Sequence, residues 1–141
     1  MNLLIIIITT FFVATTGLQT DQPADDLFLI LSSDNAETQM MAMVLATQSF
    51  NQDVTVRILL CGEAGDLALK DSESPNFKPA DRSPKDLLTG LLNRGATVEV
   101  CGIYLPNRTV EESDLMDGIG VAAPPEVAAY MKLANVRLMT F

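Results

Sequence analysis

With no histidine anywhere in its 141 residues, this chain lacks the commonest general base and metal ligand. Ser-His-Asp, Cys-His and His-based metal sites are excluded, so any chemistry rests on thiol, carboxylate, hydroxyl or backbone groups. Two cysteines stand out, Cys61 and Cys101. Thr97, Val98, Glu99 and Val100 are mostly β-branched and follow Gly95, a helix-ending glycine. They predict a short core strand that delivers Cys101 to its own carboxyl end. In open parallel sheets, ligands and reactive groups collect beyond the carboxyl ends of the strands. Residue type alone also fits a small buried hydrophobe.

Cys61 closes the run VTVRILLC, Val54 to Cys61, which reads as a second strand and places both thiols at one sheet edge. Three readings follow: a reactive thiol with a resolving partner, a structural disulfide of an exported protein, or one reactive and one inert thiol. A disulfide needs Cα atoms roughly 4.4–6.8 Å apart, whereas strands with one strand between them sit about 9.5 Å apart, so bonding depends on strand order. The third reading is favoured, with Cys101 reactive, because Cys61 ends an apolar run where burial raises a thiol pKa. Thiolate character at Cys101 would come from Arg108, reaching back over the Gly102 to Asn107 loop, and from a helix starting at Thr109.

The elements that must position these groups alternate. Leu27 to Leu31 is a continuous apolar run, as expected of a central parallel strand, and Ser32-Ser33-Asp34 ends it. Asp34 with Glu37 has helix-start spacing, and the helix to about Phe50 turns Met40, Met43, Val44 and Thr47 to the core. The Met40, Met41 and Met43 cluster reads as core filler, with no Cys or His beside it to suggest a soft metal. Gly62 to Asp66 is a turn, and the polar segment Asp71 to Pro84 is a long surface loop. Ser83-Pro84-Lys85-Asp86 starts a helix to Arg94 with Leu87, Leu88, Leu91 and Leu92 inward. Thr109 and Glu112 have capping-box spacing for a short helix ending at Gly118. A strand over 119–122, a helix from Pro124 through Leu133 capped by Asn135, and a strand over 136–141 complete the chain. This alternation predicts an α/β fold with a parallel sheet covered on both faces.

Composition bounds the function. The length and 48% hydrophobic content suit a single domain with one core. Nine basic against 18 acidic residues, a net charge of −9, argue against a nucleic-acid surface, which needs clustered Lys and Arg. Leu3 to Ala14 is apolar apart from Thr9 and Thr10, too short to span a bilayer comfortably but suited to a signal peptide. The expectation is a signal peptide and short leader over residues 1–24, export to the periplasm, and a mature domain over 25–141. Asn107-Arg108-Thr109 matches a glycosylation sequon but abuts the proposed site. Gly62-Glu63-Ala64-Gly65 lacks the third glycine of a dinucleotide fingerprint.

The run V-E-V-C-G-I-Y-L-P-N-R-T-V followed by D-L-M-D-G resembles the DsrE/DsrF-like (TusD-like) family of sulfur-relay proteins, over roughly Leu27 to Phe141. The matching positions are Cys101, Arg108, Val110, Asp114, Leu115 and Gly118, while Thr109 stands where many members have glycine. The resemblance implies a three-layer α/β/α fold with a mainly parallel sheet of about five strands. It implies that Cys101 carries sulfane sulfur as a persulfide, exchanged with sulfur donor and acceptor proteins or small thiols. It also implies a homo-oligomer, trimer or hexamer, without cofactor or metal. Ser32, Ser33, Gly102 and Arg108 are the expected substrate-binding residues of the crevice. The alternative is a non-catalytic module whose crevice holds an anion or metabolite against Ser32, Ser33 and Gly102.

Overall fold

The structure, a computed structural model, describes residues 26–141; the signal-peptide expectation for 1–24 lies outside them. Five strands form one sheet: β1 Asp26–Leu31, β2 Thr55–Leu60, β3 Thr97–Cys101, β4 Gly120–Ala122 and β5 Val136–Thr140. Their order is β4-β3-β2-β1-β5 and every pairing is parallel. Three α-helices, α1 Ala36–Phe50, α2 Pro84–Asn93 and α3 Pro124–Tyr130, complete the three-layer α/β/α arrangement.

The period-2 geometry of strands divides the core. Leu27, Leu29, Leu31, Val56, Ile58, Leu60, Val98 and Val100 lie in one buried cluster with Met43 of α1 and Leu88 and Leu91 of α2. Phe28, Leu59 and Ala122 lie in a second, covered by Val127 and Tyr130 of α3. Each fully buried large side chain contributes roughly 1.5–3 kcal/mol relative to exposure. On the second face Arg57 is held by Glu99 at 2.7 Å and lies 4.7 Å from the centre of the Tyr130 ring. That pair answers the need of a cation set in an apolar strand.

The helices depart from the sequence expectations in detail. The N-cap of α1 is Asn35, whose Oδ1 accepts from the Thr38 N–H at 2.9 Å, not Asp34. Its buried residues are Gln39, Ala42, Met43 and Ala46; of the expected core face only Met43 is fully buried. Small alanines let the helix approach the sheet, and the Gln39 amide is satisfied by the Ser33 carbonyl at 2.9 Å. For α2 the expected start is present: Ser83 and Asp86 form a reciprocal capping box behind Pro84. Leu88 and Leu91 are buried, with Leu87 and Leu92 packed at the margin. Gly95 then turns the chain at φ +99°. Helix α3 stops at Tyr130, short of Leu133. Asn135 does not cap it; its side chain donates to Asp26 Oδ2 at 3.2 Å and its carbonyl accepts from Asp26 N–H, tying β5 to the start of β1.

Candidate functional site

The site grows out of the β2–β3 pairing. Arg57 to Leu60 pair in register with Thr97 to Val100, so Cys61 and Cys101, one residue further along each chain, emerge side by side. Neighbouring strands run about 4.8 Å apart, inside the Cα separation a disulfide bridges. Alternation puts both side chains on the α3 face, where both are half-buried beside Phe28, Leu59 and Ala122. Both are free thiols. The Cys61 N–H donates to the Leu31 carbonyl at 2.8 Å, which anchors the residue past the end of β2, and Cys101 pairs with Ala122 of β4. The Cys61 thiol is pushed from 9.0 up to about 11, first by burial, then by the Cys101 sulfur, which repels its thiolate and hydrogen-bonds its thiol.

Each cysteine leads into a loop, and the two loops are clasped. Beyond Cys61 the chain forms a 3-10 segment, Gly62–Ala68. Beyond Cys101, Tyr104 folds back so that its N–H donates to the Cys101 carbonyl at 2.8 Å. Its ring is 4% exposed and lies directly over Gly65, where a Cβ would collide with it. Its hydroxyl donates to Asp66 Oδ1 at 2.7 Å, and burial, then that bond, raise the phenol above its ordinary value. Arg108 pairs with Glu63 at 2.9 Å and lies 5.6 Å from the Tyr104 ring centre. The hydrogen bond it donates to Glu63 is the leading reason its guanidinium is held more firmly protonated.

Arg108 therefore reaches the thiol edge but spends its charge on Glu63. No helix starts at Thr109. Instead the chain makes 3-10 turns at Leu105–Asn107 and Glu112–Asp114, and the capping box is Glu111 with Asp114. The cause lies downstream: the Asp114 carbonyl accepts from the Lys70 N–H and the Met116 N–H donates to the Ala68 carbonyl. Backbone groups committed to a neighbouring segment cannot close a helical ladder.

The other expected site residues lie at the same edge and make contacts within the chain. Ser32 Oγ donates to the Phe141 carbonyl at 3.1 Å, fastening the end of the chain, and Ser33 Oγ accepts from the Asn35 N–H. Gly102 meets the Ala122 carbonyl so closely that an added Cβ would stand 2.7 Å from it. Tyr104, Glu63 and Asp66 were not singled out from the sequence. An aromatic three residues past Cys101 was the signal for Tyr104; the carboxylates, about forty residues upstream, carried none. Beside the clasp, Asp34, Glu63, Asp66 and Glu73 line a cavity of about 240 Å³ with Gln39 and Ser74. Its four carboxylates repel anions.

A parallel α/β sheet presenting a thiol pair at the carboxyl ends of adjacent strands defines the class of domain. The model of the DsrE/DsrF-like family matches residues 25–141, and the chain belongs to that family, which is associated with sulfur relay. It is 28% identical over 115 residues to the uncharacterized protein MJ0760 of Methanocaldococcus jannaschii, a match covering 80% of this chain and 42% of that protein. The chain thus matches less than half the length of that relative. Among solved structures, it is similar to the ychN protein from E. coli, with TM-score 0.68 at 18% identity, covering 82% of this chain and 97% of that one. MTH1491 from Methanobacterium thermoautotrophicum follows, with TM-score 0.63 at 12% identity, 82% of this chain and 98% of that one. At these identities the likeness establishes the fold.

Proposed function

We propose that Cys101 carries sulfane sulfur as a persulfide within a sulfur relay. The observation that carries the reading is the placement of Cys101, half-buried at the carboxyl end of β3 and followed by a clasped loop, in a chain of this family. The Cys101 thiolate attacks the outer sulfur of a donor persulfide, the donor S–S bond breaks, and the donor leaves as thiolate. An acceptor thiolate then takes the outer sulfur and restores Cys101. Cys61, whose thiol is pushed up to about 11, first by burial, is a weak nucleophile at neutral pH.

The anion-binding alternative is disfavoured by the four carboxylates around the neighbouring cavity and by the Ser32 hydroxyl, whose proton is already donated to the Phe141 carbonyl. Export and assembly into a homo-oligomer belong to the same proposal. Ile103, Met131, Leu133 and Leu138 are exposed apolar side chains that subunit contact would cover. Incubation with a sulfane donor, read by intact mass, tests the carrier: a gain of about 32 Da that Cys101→Ser abolishes supports it, and no such gain overturns it. Static light scattering that returned a monomer mass would refute assembly. An intact N-terminus on the chain recovered from the cytosol would refute export.

A further inference from the structure

Three features of the thiol edge have no part in a one-cysteine carrier. The second thiol stands directly beside the first, because β2 and β3 are neighbours in register and no element separates them. Both cysteines lie on the α3 face, packed against the cluster of Phe28, Leu59 and Ala122. The loops behind them are locked together by Tyr104 on Asp66 and Arg108 on Glu63, so the two residues stay on adjacent, registered strands, about 4.8 Å apart and inside the Cα range that a disulfide bridges. These are the chain's only cysteines, and neither is spent on a structural bridge.

We propose that Cys61 is the resolving thiol for the Cys101 persulfide, closing an internal Cys61–Cys101 disulfide as the sulfur leaves as hydrosulfide. The Cys61 sulfur attacks Cys101 Sγ, the bond from Cys101 Sγ to the outer sulfur breaks, and the proton of Cys61 leaves with the hydrosulfide. One S–S bond forms and one breaks. The two cysteine sulfurs are oxidised to the disulfide while the sulfane sulfur is reduced to sulfide, so no outside oxidant is consumed. An external dithiol then reduces the disulfide and resets the protein. The consequence is a timed carrier: an acceptor that arrives promptly takes the sulfur, and one that does not finds it discharged.

This inference rests on the persulfide reading, and the test separates the two. The full chain, its Cys61→Ser variant and its Cys61→Ala variant are loaded with inorganic polysulfide and followed by intact mass and sulfide release. The native chain is expected to gain about 32 Da and then become about 2 Da lighter than its dithiol form, with one sulfide released per chain. Peptide mapping should place the crosslink between Cys61 and Cys101. Both variants, checked for folding by circular dichroism, are expected to keep the adduct at least about tenfold longer. A native adduct as long-lived as that of the variants, with no crosslink, overturns the resolving role and leaves the carrier standing. Absence of any adduct overturns the carrier, and diamide, which oxidises dithiols without a persulfide, then judges the pair alone. An internal crosslink supports the pairing; crosslinks only between chains overturn it.

Discussion

Leu60 of β2 pairs with Val100 of β3, and that single register relationship sets Cys61 against Cys101. A slip of one residue would send one thiol to the opposite face of the sheet, because side chains alternate with period 2. The pair is therefore a product of strand order and register together. Both strands are flanked on both sides; the asymmetry lies in the Cys61 thiol, which burial first and then the Cys101 sulfur push up to about 11.

The asymmetry predicts division of labour. Cys101→Ser should abolish sulfur loading, whereas Cys61→Ser should leave the initial loading largely intact. On the folded native chain at neutral pH, iodoacetamide should modify Cys101 before Cys61, as peptide mass mapping after short exposures would show. Faster modification of Cys61 would reverse the assignment.

Alkaline pH should act through Cys61. Its folded pKa is about 11 against an ordinary 9.0, so between those values the folded state binds the proton that the unfolded state has lost. Stability then falls as pH rises from about 9 to about 11, and the contribution is fully present below 9. Urea midpoints across this range should decline more steeply in the native chain than in Cys61→Ser. Alkylation of Cys61 should accelerate about tenfold per pH unit up to pH 10.

The parts of the fold visible in the sequence are those fixed locally. The apolar runs around Phe28 and Ile58 and the Ser83-Pro84-Asp86 start of α2 are set by neighbours within a few residues. The errors lie where a distant segment decides. Thr109 carries a capping pattern, yet the Lys70 and Ala68 backbones hold Asp114 and Met116. Met40 and Val44 are more apolar than Ala42 and Ala46, yet α1 turns the alanines inward, because close approach to the sheet favours small side chains. Cys101 was legible from its strand end, but its pairing with Cys61 required a strand order that periodicity does not encode. The Arg108 partner, Glu63, lies on another loop for the same reason.

Gly102→Ala separates packing from ligand contact at a residue expected to touch substrate. Its Cβ would stand 2.7 Å from the Ala122 carbonyl, so β4 and the Cys101 loop must part. A loss of about 1–3 kcal/mol in denaturant stability is expected. Unchanged stability with impaired sulfur loading would instead point to a direct role in the site.

Lys85 organises the loop ahead of α2. Its Nζ donates to the carbonyls of Leu69, Lys70 and Ser72 at 2.6, 3.0 and 2.8 Å and to Ser72 Oγ at 3.1 Å. Burial lowers its pKa, with Asp71 opposing, as expected of a cation drawn in among carbonyls. Lys85→Met keeps the stem but strands those acceptors, and should cost about 1.5–3 kcal/mol. Limited proteolysis should then cut within residues 69–82 faster than in the native chain.

Arg57 and Glu99 offer the sharpest stability test. Their side chains are 14% and 15% exposed, bridged at 2.7 Å, and the guanidinium also lies 5.5 Å from the Phe28 ring centre and 4.7 Å from that of Tyr130. Removing one partner leaves a largely desolvated charge without its counterion, whereas removing both trades a polar pair for apolar packing. Arg57→Met alone should therefore destabilise the domain by about 3 kcal/mol. Arg57→Met with Glu99→Leu should recover most of that loss, within about 1 kcal/mol of the native chain. Since Glu99 lies two residues before Cys101 and Arg57 four before Cys61, all on the same face, the single substitution should also loosen the register that holds Cys61 beside Cys101. Slower formation of the internal disulfide in Arg57→Met than in the double variant would connect the two effects. Additive losses in the double variant would show that the two side chains act independently and would break this argument.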